Sequence, residues 1–154
     1  MAAFRGRLWF CSNFYPADCW YDGECYPTSE HAFQAAKTLD KSERKAIMEA
    51  KTPGESKRLG RRVTLRSDWN DIRVQVMYEI LCSKFKDSVL RQALINTGNQ
   101  ELVEVNEWND TFWGQCPEGV GENNLGKCLM SLREQLQMGV PQAIETIGKE
   151  INGH

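Results

Sequence analysis

The run from Tyr26 to Asp40 reads Tyr-Pro-Thr-Ser-Glu-His-Ala-Phe-Gln-Ala-Ala-Lys-Thr-Leu-Asp, and its spacing commits the chain to a helix with two unlike faces. Thr28 is placed to cap the first turn, which sets Glu30 where unpaired backbone donors and the helix dipole favour a negative charge. Ala32, Ala35, Ala36 and Leu39 form one stripe at helical spacing, and small side chains of this kind demand a close-packed neighbour. Glu30, Phe33, Gln34 and Lys37 form the other. A carboxylate, a ring, an amide and an amine on one face suit a ligand, or equally a solvated helix surface. His31 points about 100° away from Glu30 around such a helix and reads as a packing residue.

The remaining segments predict a mainly α chain with a small β element near its start. The first 27 residues are dense in aromatics and read as short strands and turns, with Asp22-Gly23 a two-residue hairpin signal between Cys19-Trp20-Tyr21 and Glu24-Cys25-Tyr26. Asp40, followed by Glu43, forms a capping box for a helix to about Lys51 that Pro53 ends. A short helix then runs to Gly60, and Val63 to Arg66 reads as extended. Ser67 or Asp68 caps the longest helix, whose Ile72, Val76, Met77, Ile80, Leu81 and Phe85 keep to one side. A helix from Ser88 closes at Gly98, Glu101 to Val105 alternates like a strand, and residues 106–122 form an irregular loop. Asn123 or Asn124 caps a last amphipathic helix carrying Leu125, Cys128, Leu129, Leu132 and Leu136. A further helix is expected after Pro141.

At 154 residues the chain is expected to be one domain spanning 1–154, and 41% hydrophobic content suffices for a core. A net charge of −2 gives no field that would recruit nucleic acid in bulk. Lys57, Arg58, Arg61, Arg62 and Arg66 crowd one stretch, which reads as solvated surface. The six cysteines show no C-x-x-C pair and the two histidines, His31 and His154, add little, so no metal site is expected. Cys11, Cys19 and Cys25 permit a disulfide. With neither a secretory leader nor a membrane-length apolar run, the expected protein is soluble, reduced and cytoplasmic.

Three polar-aromatic clusters carry the possible chemistry. They are Ser12-Asn13-Phe14-Tyr15-Pro16, the start of the Glu30 helix, and Trp108-Asn109-Asp110-Thr111-Phe112-Trp113-Gly114 with Gly121-Glu122-Asn123. Rings can stack on a flat heterocycle, amides can read its edge, and carboxylates can face an attached sugar. Cleavage of a glycosidic bond passes through an oxocarbenium-like state that a carboxylate stabilises while it orients water, a role that suits Glu30. Asp110 is the candidate for a second carboxylate, and its alternative is an Asx turn between two tryptophans. Trp69, in the first turn of the long helix, can wall the site. Trp9, Trp20, Trp108 and Trp113, taken singly, read as core.

The order of these clusters resembles the NADAR (YbiA-like) family from about residue 10 to 136. The resemblance is carried by Ser12 to Pro16, Tyr26 to Lys37, Leu59-Gly60-Arg61, Leu65 to Trp69, Trp108-Asn109-Asp110, Trp113-Gly114, and Gly121 to Gly126 leading to Leu129-Met130 and Arg133. Cys11 stands where the family commonly has Leu, and residues 139–154 lie outside the pattern. The resemblance implies a single, predominantly helical N-glycosidase domain without metal or cofactor. Implied substrates are phosphoribosylamino-pyrimidine intermediates of riboflavin synthesis or ADP-ribose on guanine, as a small nucleotide-like molecule or within nucleic acid. The family's polar positions fall here on Asn13, Glu30, Lys37, Trp69, Trp108, Asp110 and Asn123. On this reading Glu30 and Asp110 are catalytic, Asn13, Lys37 and Asn123 hold ribose and phosphate oxygens, and Trp69 and Trp108 flank the base. The rival expectation is a module that binds ADP-ribose or a nucleotide without cleaving it. An RNA-binding domain using Lys57 to Arg66 is a third.

Overall fold

Asp22 and Gly23 both adopt positive φ, 52° and 82°, a left-handed twist that folds one strand directly back on another. They join β1 (Pro16–Tyr21) to β2 (Glu24–Thr28), antiparallel partners with Trp20 opposite Cys25 and Tyr21 opposite Glu24. This is the predicted hairpin. It runs without a loop into α1 (Ser29–Ala36), because Thr28 ends the strand and caps the helix, its Oγ1 accepting the His31 N–H at 3.1 Å.

The computed structural model describes residues 4–139, and the helix expected after Pro141 lies outside them. The described residues form two compact units: Asn13–Lys84 is continuous, while the other combines residues 4–12 with 85–139. The fold is mainly α with a two-stranded antiparallel hairpin, as the sequence predicts.

In the Asn13–Lys84 unit α1 is the central rod, packed by the hairpin, α2 (Lys41–Met48), α3 (Pro53–Gly60) and α4 (Trp69–Lys84). Its Ala32, Ala35 and Ala36 are all fully buried, so the small-residue stripe does bring neighbours in close. Leu39, assigned to that stripe, is exposed because the helix has ended at Ala36. Asp40 caps α2 through Oδ1, which accepts the Ser42 and Glu43 N–H groups at 2.8 and 3.0 Å. The capping box is replaced by a relay: Asp40 N–H donates to Thr38 Oγ1, whose hydroxyl donates to Glu43 Oε1 at 2.6 Å. Glu43 also accepts the Thr64 N–H and so fastens the chain beyond α3. Helix α2 stops at Met48, short of Lys51. Pro53 opens α3 at its first turn, where a missing N–H costs nothing, under a Thr52 cap. In α4, Val76, Met77, Ile80 and Leu81 are buried and Ile72 is half-buried. Asp68, ahead of α4, accepts from Arg66 at 2.7 and 3.2 Å.

The other unit begins with a 3-10 helix, Gly6–Cys11, where short strands and turns were expected. Leu8 and Cys11, three residues apart, are its buried face, a helical spacing that the aromatic density of the segment masks. Helix α5 (Ser88–Asn96) is capped by Asp87 and closes at Gly98, φ 67°. Helix α6 (Asn124–Gln137) buries Leu125, Cys128, Leu129, Leu132 and Leu136, and Arg133 ties it to the end of α5 by donating to Thr97 Oγ1 and the Gln100 carbonyl at 2.9 and 2.8 Å. Residues 101–105 are not a strand. Leu102 and Val103 are adjacent and both buried, which breaks the alternation, and a single parallel bridge pairs Val105 with Gln115.

All six cysteines are free thiols. Burial pushes the Cys19 thiol up to about 12 and that of Cys128 up to about 11, which keeps both protonated and unreactive. Among the tryptophans expected in the core, Trp9, Trp20 and Trp108 are exposed and Trp113 is half-buried.

Candidate active site

Glu30 lies in the first turn of α1 and is only 6% exposed. Its N–H donates to the Asn13 carbonyl at 3.0 Å, while the Ser29 hydroxyl donates to Asn13 Oδ1 at 2.8 Å. The segment before β1 is thereby pinned across the N-terminus of α1, with the Asn13 amide also directed at Met77 Sδ at 3.7 Å. One turn on, Gln34 Nε2 donates to Glu30 Oε1 at 3.2 Å and fixes the orientation of the carboxylate. Gln34 Oε1 is buried without a hydrogen-bond partner and lies against Gly60 of α3. The stripe read as either ligand face or solvated surface is therefore a buried polar line, and Lys37, half-buried, ends it.

Burial lowers the Lys37 pKa, Glu30 opposes that shift, and Arg61 and Lys57 add to it. Trp69 is buried, its ring 5.0 Å from that of Phe33 and tilted by 53°. It braces the helix face that carries Glu30. His31, as expected, packs: Nε2 faces the Ala50 carbonyl at 3.0 Å and Nδ1 faces Thr28 Oγ1 at 2.7 Å. The carbonyl can only accept, so Nε2 carries a proton, and in the neutral ring Nδ1 accepts from the threonine hydroxyl. Burial lowers its pKa in agreement.

In the other unit Asp110 and Asn123 stitch the 106–122 loop. Asp110 Oδ1 accepts the Trp113 N–H at 2.9 Å, so the carboxylate satisfies a backbone donor three residues on and helps to form the turn between the two tryptophans. Asn106, buried, holds Asp110 from both sides: its Oδ1 accepts the Asp110 N–H and its Nδ2 donates to the Asp110 carbonyl, each at 3.0 Å. Asn123 does not cap α6 with its side chain. Its backbone is left-handed, φ 52°, and its buried amide instead accepts the Glu104 N–H at 3.0 Å and donates to the Leu102 carbonyl at 2.9 Å. Trp108, 61% exposed, stands out from this ordered loop.

Asn13, Glu30, Lys37 and Trp69 thus gather on α1 and its flanks, while Trp108, Asp110 and Asn123 belong to the loop leading into α6. Reasoning from sequence passed over Ser29 and Asn106 as partners, since a serine at a helix start and an asparagine in a loop look like ordinary capping and turn residues. Among the described residues, no three or more His, Cys, Asp or Glu side chains are grouped to hold a metal ion.

The chain belongs to the NADAR domain family, which matches residues 5–137. It is 43% identical over 128 residues to the N-glycosidase YbiA of Escherichia coli, covering 81% of this chain and 79% of that one. It is 40% identical over 135 residues, 86% of this chain, to a riboflavin biosynthesis protein of Vibrio vulnificus, and spans 36% of that longer protein. The solution structure of E. coli YbiA superposes with a TM-score of 0.78 at 38% identity, covering 90% of this chain and 84% of that one.

Proposed function

We propose that this protein is an N-glycosidase that hydrolyses a ribose N-glycosidic bond, and that its substrates are phosphoribosylamino-pyrimidine intermediates of riboflavin synthesis. Membership of the NADAR family supports the activity, as do relatives named N-glycosidase from Escherichia coli and Nostoc punctiforme. Relatives named riboflavin biosynthesis proteins, from Vibrio vulnificus and Zea mays, support the substrate class.

The carrying observation is Glu30: a buried carboxylate oriented by Gln34 at a helix N-terminus. As the bond between the ribose anomeric carbon and the base nitrogen breaks, positive charge develops on the sugar. Glu30 stabilises that charge and orients a water. The C–N electron pair leaves on the nitrogen as the water oxygen bonds to the anomeric carbon, and one water proton passes to Glu30 and from it to the leaving nitrogen, which restores the carboxylate. Lys37 and Asn13 hold sugar and phosphate oxygens, and Trp69 supports the α1 face from behind. In the other unit, Asp110 and Asn123 order the loop that carries the exposed Trp108 ring, a surface for stacking on a flat base. No described helix is long and apolar enough to cross a membrane, and six free thiols support a reducing, cytoplasmic setting.

Incubation with the pyrimidine intermediate, and in parallel with ADP-ribosylated guanine, tests this reading. Release of free ribose 5-phosphate from the first is expected. Tight binding of either compound with no release would instead make the protein a binding module, and release of ADP-ribose alone would move the substrate class.

A further inference from the structure

Gly60 is where α3 meets α1. A Cβ at that position would overlap Gln34 Oε1 and come within 3.1 Å of Gln34 Cβ, so the two helices approach as closely as they do because the side chain is missing. The approach has an electrostatic result. Lys57 lies one turn before Gly60, Arg61 follows it directly, and Lys37 lies one turn beyond Gln34, so three cations converge at one seam. Lys57 and Arg61 both act on Lys37, as does Glu30 with the opposite sign. Three cations against one carboxylate leave about two positive charges, the complement of a phosphate monoester, which carries roughly −1.5 to −2 at neutral pH.

We propose that Lys57 and Arg61, together with Lys37, form the subsite for the substrate's ribose phosphate, setting the distance between that phosphate and Glu30. This rests on the N-glycosidase reading and extends it to residues that the sequence alone presents as solvated surface. An arginine fork and a lysine point charge are complementary phosphate ligands.

The test compares wild type with the K57A/R61A double variant, both checked for folding by circular dichroism. Calorimetry with ribose 5-phosphate is expected to show affinity falling by at least about tenfold in the variant, with ribose bound poorly by both. On the pyrimidine substrate, KM rises by about tenfold or more while kcat stays within about threefold, the pattern of a lost binding contact. A K57R/R61K variant, which keeps the charges, recovers much of the affinity. Equal ribose 5-phosphate binding by wild type and K57A/R61A overturns the subsite. So does a variant that loses only salt-dependent affinity for single-stranded RNA, which would make the cluster a nucleic-acid surface. A wild type that cleaves no N-glycoside yet binds ribose 5-phosphate through these two residues would overturn the enzyme and leave the subsite standing.

Discussion

Asp110 carries two readings that substitution separates. Its Oδ1 already accepts the Trp113 N–H at 2.9 Å, and an asparagine can make the same contact while an alanine cannot. Asp110→Asn is therefore expected to keep turnover within about threefold. Asp110→Ala should cost about 1 kcal/mol of stability, the usual loss when a short polar side chain stops satisfying a backbone donor. Kinetics and thermal melts on the two variants check this. A folded Asp110→Asn protein slowed a hundredfold would instead establish the carboxylate as a second catalytic group. The side-chain types at Asp110 and Glu30 were equally legible in the sequence. Their difference lies in what surrounds them, and neither the Asn106 bracket on Asp110 nor the Ser29–Asn13 bridge beside Glu30 follows from local spacing.

At the scale of elements, Gly60 sets the fit between α1 and α3. Helix propensity alone makes Gly60→Ala stabilising by about 1 kcal/mol. Overlap with Gln34 makes it destabilising, by roughly 1–3 kcal/mol as for other overpacked sites. The overlap is expected to win, because the obstructing atom belongs to a buried side chain that also holds Glu30. A melting temperature lowered by about 2–4 °C is the expected result for a net cost near 1 kcal/mol in a chain of this size. A raised one would show that the seam yields freely. Hairpin, helix caps and alanine stripe were legible because each is local: Asp22-Gly23 sets a turn, Thr28 and Asp40 set helix starts. Three segments depart from their local signals. At Gly6–Cys11 the Leu8–Cys11 spacing is hidden among aromatic residues, at Asp40 the Glu43 carboxylate is engaged by Thr38 and by the distant Thr64 N–H, and at 101–105 burial of the adjacent Leu102 and Val103 breaks the alternation.

For the whole molecule, stability should depend on pH through His31. Its folded pKa lies below the ordinary value of 6.5 because burial disfavours the charged ring. The unfolded chain therefore takes up a proton first as pH falls, so stability is fully present above about 6.5 and is lost as pH drops toward the lowered folded value. Melts at pH 8 and pH 5.5 are expected to differ more for wild type than for His31→Gln, in which carboxylate contributions remain and the histidine's is gone. Equal differences would mean that the ring titrates freely. The same neutral ring anchors Thr28 and Ala50, so acidification loosens the start of α1, where Glu30 sits.

The proposed catalysis turns on the charge of Glu30, and Glu30→Gln keeps the size of that side chain while removing its charge. Steady-state turnover of the pyrimidine N-riboside, measured on a variant whose melting temperature confirms the fold, tests it most directly. Loss of at least about a hundredfold in kcat is expected, the scale seen when one transition-state stabiliser is removed. A folded Glu30→Gln protein turning over at near the wild-type rate would contradict the mechanism.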